Sequence, residues 1–333
     1  MVTAPLAGDT RIDFHTHILH PELMTLAEDK VVLTGFGARP PQERPPGSRR
    51  AKNYGLQLEP ELHVAEMDRR GIDVHVLSSS TVVQGTFWAS AGEEAKLCRL
   101  MNDAMAEWVN AYPQRFIGSA ILPFQDVAAS LAELERCRAE HDFTIVNAPA
   151  AVNGVYLGEP RFNDYWSFVD KHKLITFIHP DGVRDPWFQK FSLWNSVGQP
   201  LEEVKVIACL IYEGILDRFP DARIVVTHGG GYAPLYMGRL DRNVTNMPAS
   251  ASNIKGLPSD YLRRFYFDTC VYDPVALRRL IETVGADRLV LGSDFPVGDV
   301  NPFVLIDQLE DLASNDRNAI VGRNAAQMLS RSR

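Results

Sequence analysis

The chain has 333 residues, 45% hydrophobic and 23% charged, the proportions of an ordinary globular protein with ample material for a core. Its net charge of -8 argues against nucleic acid as a partner, which would call for a basic surface. No apolar run reaches the length of a membrane span, no basic-then-apolar leader opens the chain, and the four cysteines are scattered, so a cytoplasmic protein with reduced thiols is expected.

The first strand is predicted over Ile12–His15, within Arg11-Ile-Asp-Phe-His15-Thr-His17. Alternate residues of a strand share a face, so His15 and His17 project side by side and can hold one metal ion. From His20 to Pro60 the pattern breaks, with Pro40-Pro41, Pro45-Pro46-Gly47 and the basic cluster Arg44, Arg49, Arg50 and Lys52. Following directly on His-x-His, this insertion is expected to form a loop-built cap over the site.

Short apolar, β-branched runs then alternate with helical patterns. A strand at Val74–Ser78 precedes a helix at Glu93–Ala111, and a strand at Ile117–Leu122 precedes a helix at Val127–Glu140. Strands follow at Thr144–Asn147 and Leu174–His179. The segment from Asp181 to Pro200 carries Arg184, Trp187, Phe188, Phe191 and Trp194, and leads to a helix at Leu201–Arg218. The strand Ile224–His228 runs into Gly229-Gly230-Gly231. Phe265–Thr269, a helix at Pro274–Val284 and Leu289–Gly292, just ahead of Asp294, complete the series. Eight strands alternating with helices imply an α/β fold with a parallel sheet, closed as a (β/α)8 TIM barrel. Closure would bring His15 and His17 to Asp294, which an open doubly wound sheet would not. The whole of 1–333 is read as a single domain with its insertion at 20–60 over the mouth.

In such barrels the chemistry sits at the C-terminal strand ends, where these histidines and the aspartate fall. His15, His17, His179 and Asp294 offer three nitrogens and an oxygen. That set suits one divalent transition metal, zinc first and manganese second, better than calcium or magnesium. His228 is assigned to proton transfer beside the metal, with ligation as its alternative role. The three glycines after it let backbone approach a ligand closely. No Gly-x-Ser-x-Gly elbow accompanies them, which removes a serine hydrolase reading. Asp268 either orients a histidine or caps the next helix. No lysine ends the fourth strand, which argues for one metal and not two. His20, His63, His75, His141 and His172 are read as structural or surface residues.

The ordered motifs Asp13-Phe-His-Thr-His17, Glu66-Met-Asp-Arg-Arg-Gly-Ile-Asp-Val74, Tyr112-Pro-Gln-Arg-Phe116, Leu122-Pro-Phe-Gln-Asp126, His179-Pro180, Arg218-Phe-Pro220, Thr227-His-Gly-Gly-Gly231 and Gly292-Ser-Asp-Phe-Pro296 span nearly the whole chain. They resemble the decarboxylase branch of the amidohydrolase superfamily, which includes aminocarboxymuconate semialdehyde and γ-resorcylate decarboxylases. The resemblance implies a metal on His15, His17, His179 and Asp294, with His228 as acid/base; for protonation of carbon, Asp294 or an activated metal water is the alternative carrier. It also implies a homodimer in which Arg239 enters the neighbouring pocket. Ala51 stands where the family has a substrate arginine, so Arg49 and Arg50 are the substitutes expected to bind a substrate carboxylate. The function expected is oxygen-independent, metal-dependent decarboxylation of a small aromatic or dienoic carboxylate, a step in aromatic compound catabolism. A metal-dependent hydrolase or hydratase on a related lactone or ring-cleavage product is the alternative.

Overall fold

The computed structural model describes residues 9–28, 45–80, 84, 88–180, 186–298 and 301–332. Its strands are β1 (Ile12–Ile18), β2 (Val74–Ser79), β3 (Phe116–Gly118), β4 (Ala120–Ile121), β5 (Ile145–Ala148), β6 (Ala151–Val152), β7 (Val155–Tyr156), β8 (Ile175–Ile178), β9 (Arg223–Val226), β10 (Tyr266–Asp268) and β11 (Leu289–Val290). One parallel sheet runs β1-β2-β3 and another β11-β10-β9-β8-β5-β4, while β6 and β7 form a small antiparallel hairpin. Only Ser119 separates β3 from β4, so the predicted third strand is a single path kinked once. At the far edges Phe14 N–H donates to the Leu291 carbonyl (2.8 Å), His17 N–H to that of Phe295 (2.6 Å), and Phe295 N–H to that of His15 (3.2 Å).

Both faces of the strands are buried, which explains why they read as apolar runs without alternation. Ile12, Phe14, Val74, Val76, Ile145, Ile175, Phe177, Val225 and Val290 pack against one another and against Met328 and Leu329 of the C-terminal helix. The opposite faces meet the surrounding helices in a second, larger cluster that includes Leu77, Val146, Ile178, Ile224 and Phe267. Helix starts follow local chemistry. Ser90 and Glu93 form a capping box on Ala91–Ala111, and the Asp126 carboxylate accepts two N–H groups at the start of Val127–His141.

Two sequence expectations change. Leu201–Arg218 is two helices, Gln199–Tyr212 and Ile215–Arg218, because Gly214 turns left-handed (φ 68°) between them. The insertion at 20–60, read as loop, carries helices Pro21–Glu28 and Arg49–Leu58 among its described residues. Its Pro40-Pro41 pair and Arg44, like Arg184 in the later segment, lie outside the described residues.

Candidate metal centre

β1 carries a bulge. Asp13 pairs with His75 and Thr16 with Leu77, so three steps along β1 match two along β2. His15 and His17 emerge beside this irregularity, His179 directly follows β8, and Asp294 lies just past β11. One ligand atom from each of these four residues lies within 4.8 Å of the others. His15 Nε2 is 3.2 Å from His17 Nε2 and 3.4 Å from Asp294 Oδ1, which is also 2.9 Å from His17 Nε2.

The outward-facing nitrogens settle what points inward. His17 Nδ1 lies 2.9 Å from the Ser79 carbonyl and His179 Nδ1 2.8 Å from the Pro180 carbonyl, and a carbonyl only accepts. His15 Nδ1 faces Asp268 Oδ2 at 2.6 Å. Each ring therefore holds its hydrogen outward and turns an Nε2 lone pair toward the same point as the Asp294 carboxylate. Three converging lone pairs repel unless a cation or a proton lies between them. The donor set thus fits a metal ion, with Asp268 as the carboxylate that orients its histidine. Of the two roles open to Asp268, the structure shows it bonded to His15; it also accepts the N–H groups of Gly229 and Cys270 at 3.1 Å each.

The electrostatics agree. Burial opposes a charged His15, but hydrogen bonds to Asp268 and Asp294 outweigh it and push its pKa up to about 10. A proton would therefore stand where a cation binds. Burial would raise Asp294, yet His15 and His17, when a proton stands between them and the carboxylate in the cation's place, hold it well below the usual carboxylate range. Burial, reinforced by the charges of His17 and His15, keeps His179 well below its ordinary value and hence neutral.

His228 follows β9, its ring centroid 5.2 Å from those of His15 and His179. Its backbone is left-handed (φ 49°), as is that of Asp294 (φ 57°), a conformation that non-glycine residues adopt chiefly where surroundings impose it. The glycines after it also meet close protein contacts. A Cβ at Gly231 would lie 2.2 Å from the Pro200 carbonyl oxygen, and one at Gly230 2.6 Å from the Phe267 ring. They let this turn press closely against the protein.

Glu203, a residue not singled out from the sequence, lies with Oε1 2.5 Å from His228 Nδ1 and 2.8 Å from the Thr227 hydroxyl. It is fully buried. Burial raises the pKa of Glu203, while burial of His228 is outweighed by the charge and hydrogen bond of Glu203, so His228 is raised as well. The one sequence signal for Glu203 was its place on the core-facing stripe with Val206, Ile207 and Leu210.

The cleft above the cluster is lined by His17, Asp294, His179, Gln57, Ser80, Asn195, Gln199 and Val297. Arg49 reaches its wall by donating to the Val297 carbonyl at 3.2 Å. Arg50 is exposed on the same helical turn. Arg239 stands exposed on helix Ala233–Asn246, not in the cleft. Among the described residues no helix is long and apolar enough to cross a membrane.

A decarboxylase of 2-amino-3-carboxymuconate-6-semialdehyde from Dictyostelium discoideum is 30% identical over 276 residues, covering 81% of this chain and 76% of its own. The 5-carboxyvanillate decarboxylase of Sphingomonas paucimobilis superposes with a TM-score of 0.84 at 25% identity, over 97% of this chain and 99% of that one. A dihydroxybenzoic acid decarboxylase from Polaromonas sp. JS666, solved with manganese and 2-nitroresorcinol, shares the fold with a TM-score of 0.80 at 23% identity, over 98% of each chain. The family model described as amidohydrolase matches residues 12–331, and the chain belongs to that family.

Proposed function

We propose that this protein is a metal-dependent, oxygen-independent decarboxylase of a small aromatic or dienoic carboxylate. The observation that carries the reading is the convergence of three histidine lone pairs and the Asp294 carboxylate in a lined cleft. The chemistry of the relatives supports it. In this reading the two parallel sheets form one (β/α)8 barrel, joined through Ser119 and through the bonds between β1 and residues 291–295. Residues 1–333 are then one domain whose insertion at 20–60 covers the mouth.

His15, His17, His179 and Asp294 would hold the ion. Three nitrogens and a carboxylate favour zinc, and manganese, present in the Polaromonas structure, is the competing outcome of elemental analysis. When bound, the ion supplies Lewis acidity that anchors the substrate carboxylate and draws electron density from the carbon skeleton.

The remaining work belongs to the chain. With Nδ1–H held by Glu203, His228 delivers a proton from Nε2 to the carbon bearing the carboxylate. Asp294 is the alternative proton carrier. The carbon–carbon bond then breaks, its electron pair restores the π-system, and carbon dioxide leaves. Arg49 and Arg50 steady a substrate carboxylate at the rim. Arg239 acts from a second subunit of a homodimer, whose contact would cover Leu235 and Tyr236, 58% and 61% exposed on the same helix. The protein is assigned to the cytoplasm from its reduced cysteines.

NMR of products from hydroxybenzoates, pyridine carboxylates and muconates tests the proposal. Loss of a carboxylate with a new C–H supports it. Addition of water with every carboxylate retained identifies a hydratase instead.

A further inference from the structure

The bulge in β1 interrupts the regular ladder at the point where the first metal-ligand candidate emerges. A side chain fills the gap. Asp13 Oδ1 accepts the N–H of His15 and the N–H of Ser293, each at 3.1 Å, and Oδ2 accepts the Ser293 hydroxyl. Asp13 is fully buried, and its carboxylate thus ties the His15 backbone to the residue immediately before Asp294. The two strands so joined are the first and the last, 280 residues apart in sequence. A carboxylate that accepts several N–H and O–H groups is a strong, directional clamp.

A buried histidine pair lies beside it. His75 Nε2 lies 3.9 Å from Asp13 Oδ2, and His75 Nδ1 is 2.8 Å from His63 Nε2. His63 in turn donates from Nδ1 to the Leu56 carbonyl at 2.9 Å. The Phe295 ring, on the other side of Asp294, packs edge-on against His63 with centroids 4.6 Å apart. Asp294 is therefore held from both flanks, by Ser293 on Asp13 and by Phe295 on His63.

We propose that Asp13 is a positioning residue for the metal site, setting His15 and Asp294 at their mutual distance before any cation arrives. The proposal rests on the reading of His15, His17, His179 and Asp294 as ligands. It differs from the role of Asp268, which contacts the His15 ring directly, because Asp13 acts through backbone.

Zinc affinity measured by chelator competition, alongside the unfolding midpoint of the metal-free protein, tests it. Asp13→Ala should bind zinc about 10- to 100-fold more weakly than wild type, the usual range for losing a supporting partner. Asp13→Asn keeps an acceptor for both N–H groups and should recover most of that loss. Ser293→Ala, which removes only the hydroxyl, should weaken binding several-fold and carries the test if Asp13→Ala does not fold. Cobalt loaded in place of zinc should show a shifted visible absorption in Asp13→Ala that returns in Asp13→Asn. A folded Asp13→Ala with wild-type affinity and cobalt spectrum, or a Ser293→Ala with unchanged affinity where Asp13→Ala does not fold, would overturn the proposal. A wild-type protein that binds no metal would overturn the ligand assignment as well, whereas tight wild-type binding with no difference among variants overturns this proposal alone.

Discussion

Glu203 Oε1 lies 2.5 Å from His228 Nδ1, a buried carboxylate set directly behind an imidazole whose ring centroid is 5.2 Å from those of His15 and His179. The contact fixes the ring's tautomer and orientation, as the carboxylate of a catalytic triad does. Glu203→Gln should therefore lower kcat by roughly 10- to 1,000-fold while metal content stays at the wild-type level. Unchanged kcat would remove Glu203 from the reaction.

His228→Ala should keep its metal, since His15, His17, His179 and Asp294 already supply a coordination set. Its turnover should drop about 100- to 10,000-fold, the range for a positioned acid/base. Loss of metal measured by elemental analysis would make His228 a ligand. Near-normal turnover would shift proton transfer to Asp294.

Arg49 donates to the carbonyl of Val297, a wall residue of the cleft, and Arg50 follows it on the same helix. Alanine at both positions should raise KM several-fold with metal content retained. Kinetics identical to wild type would leave the pair as a surface feature.

Burial, only partly opposed by the bond to the Leu56 carbonyl and aided by the charge of Arg70, pulls the His63 pKa down to about 3. The unfolded chain takes up a proton near pH 6.5 that folded His63 refuses, so stability falls as pH drops from about 6.5 toward 3. Urea midpoints between pH 7 and 4 should decline less steeply in His63→Gln than in wild type. Parallel slopes would assign the acid sensitivity to other groups.

The sequence carried the candidate metal cluster because its members lie within or just past strands, and strands are set by the short-range apolar patterns around His15, His179 and Asp294. The role of Glu203 was not legible, for the opposite reason. Its partner lies 25 residues away, and only folding places helix Gln199–Tyr212 behind β9. The clamp at Asp13 spans an even larger separation and depends on a bulge that no local pattern announces. Helix Arg49–Leu58 was hidden by the proline- and arginine-rich composition before it, although Ser48 caps it and Leu56 is buried beneath it. The three glycines were legible as a place where backbone can approach another group closely. What they face, Pro200, Val271 and Phe267, was not.

The proposed function requires a metal ion on His15, His17, His179 and Asp294 for carbon dioxide release. Its most direct test is carbon dioxide evolution from a turned-over carboxylate by protein stripped of metal and then titrated with zinc or manganese. Stripped protein should release none, recovery should saturate near one equivalent per chain, and His15→Ala or His179→Ala should not recover. Full release from stripped protein, or saturation at two equivalents, would contradict it.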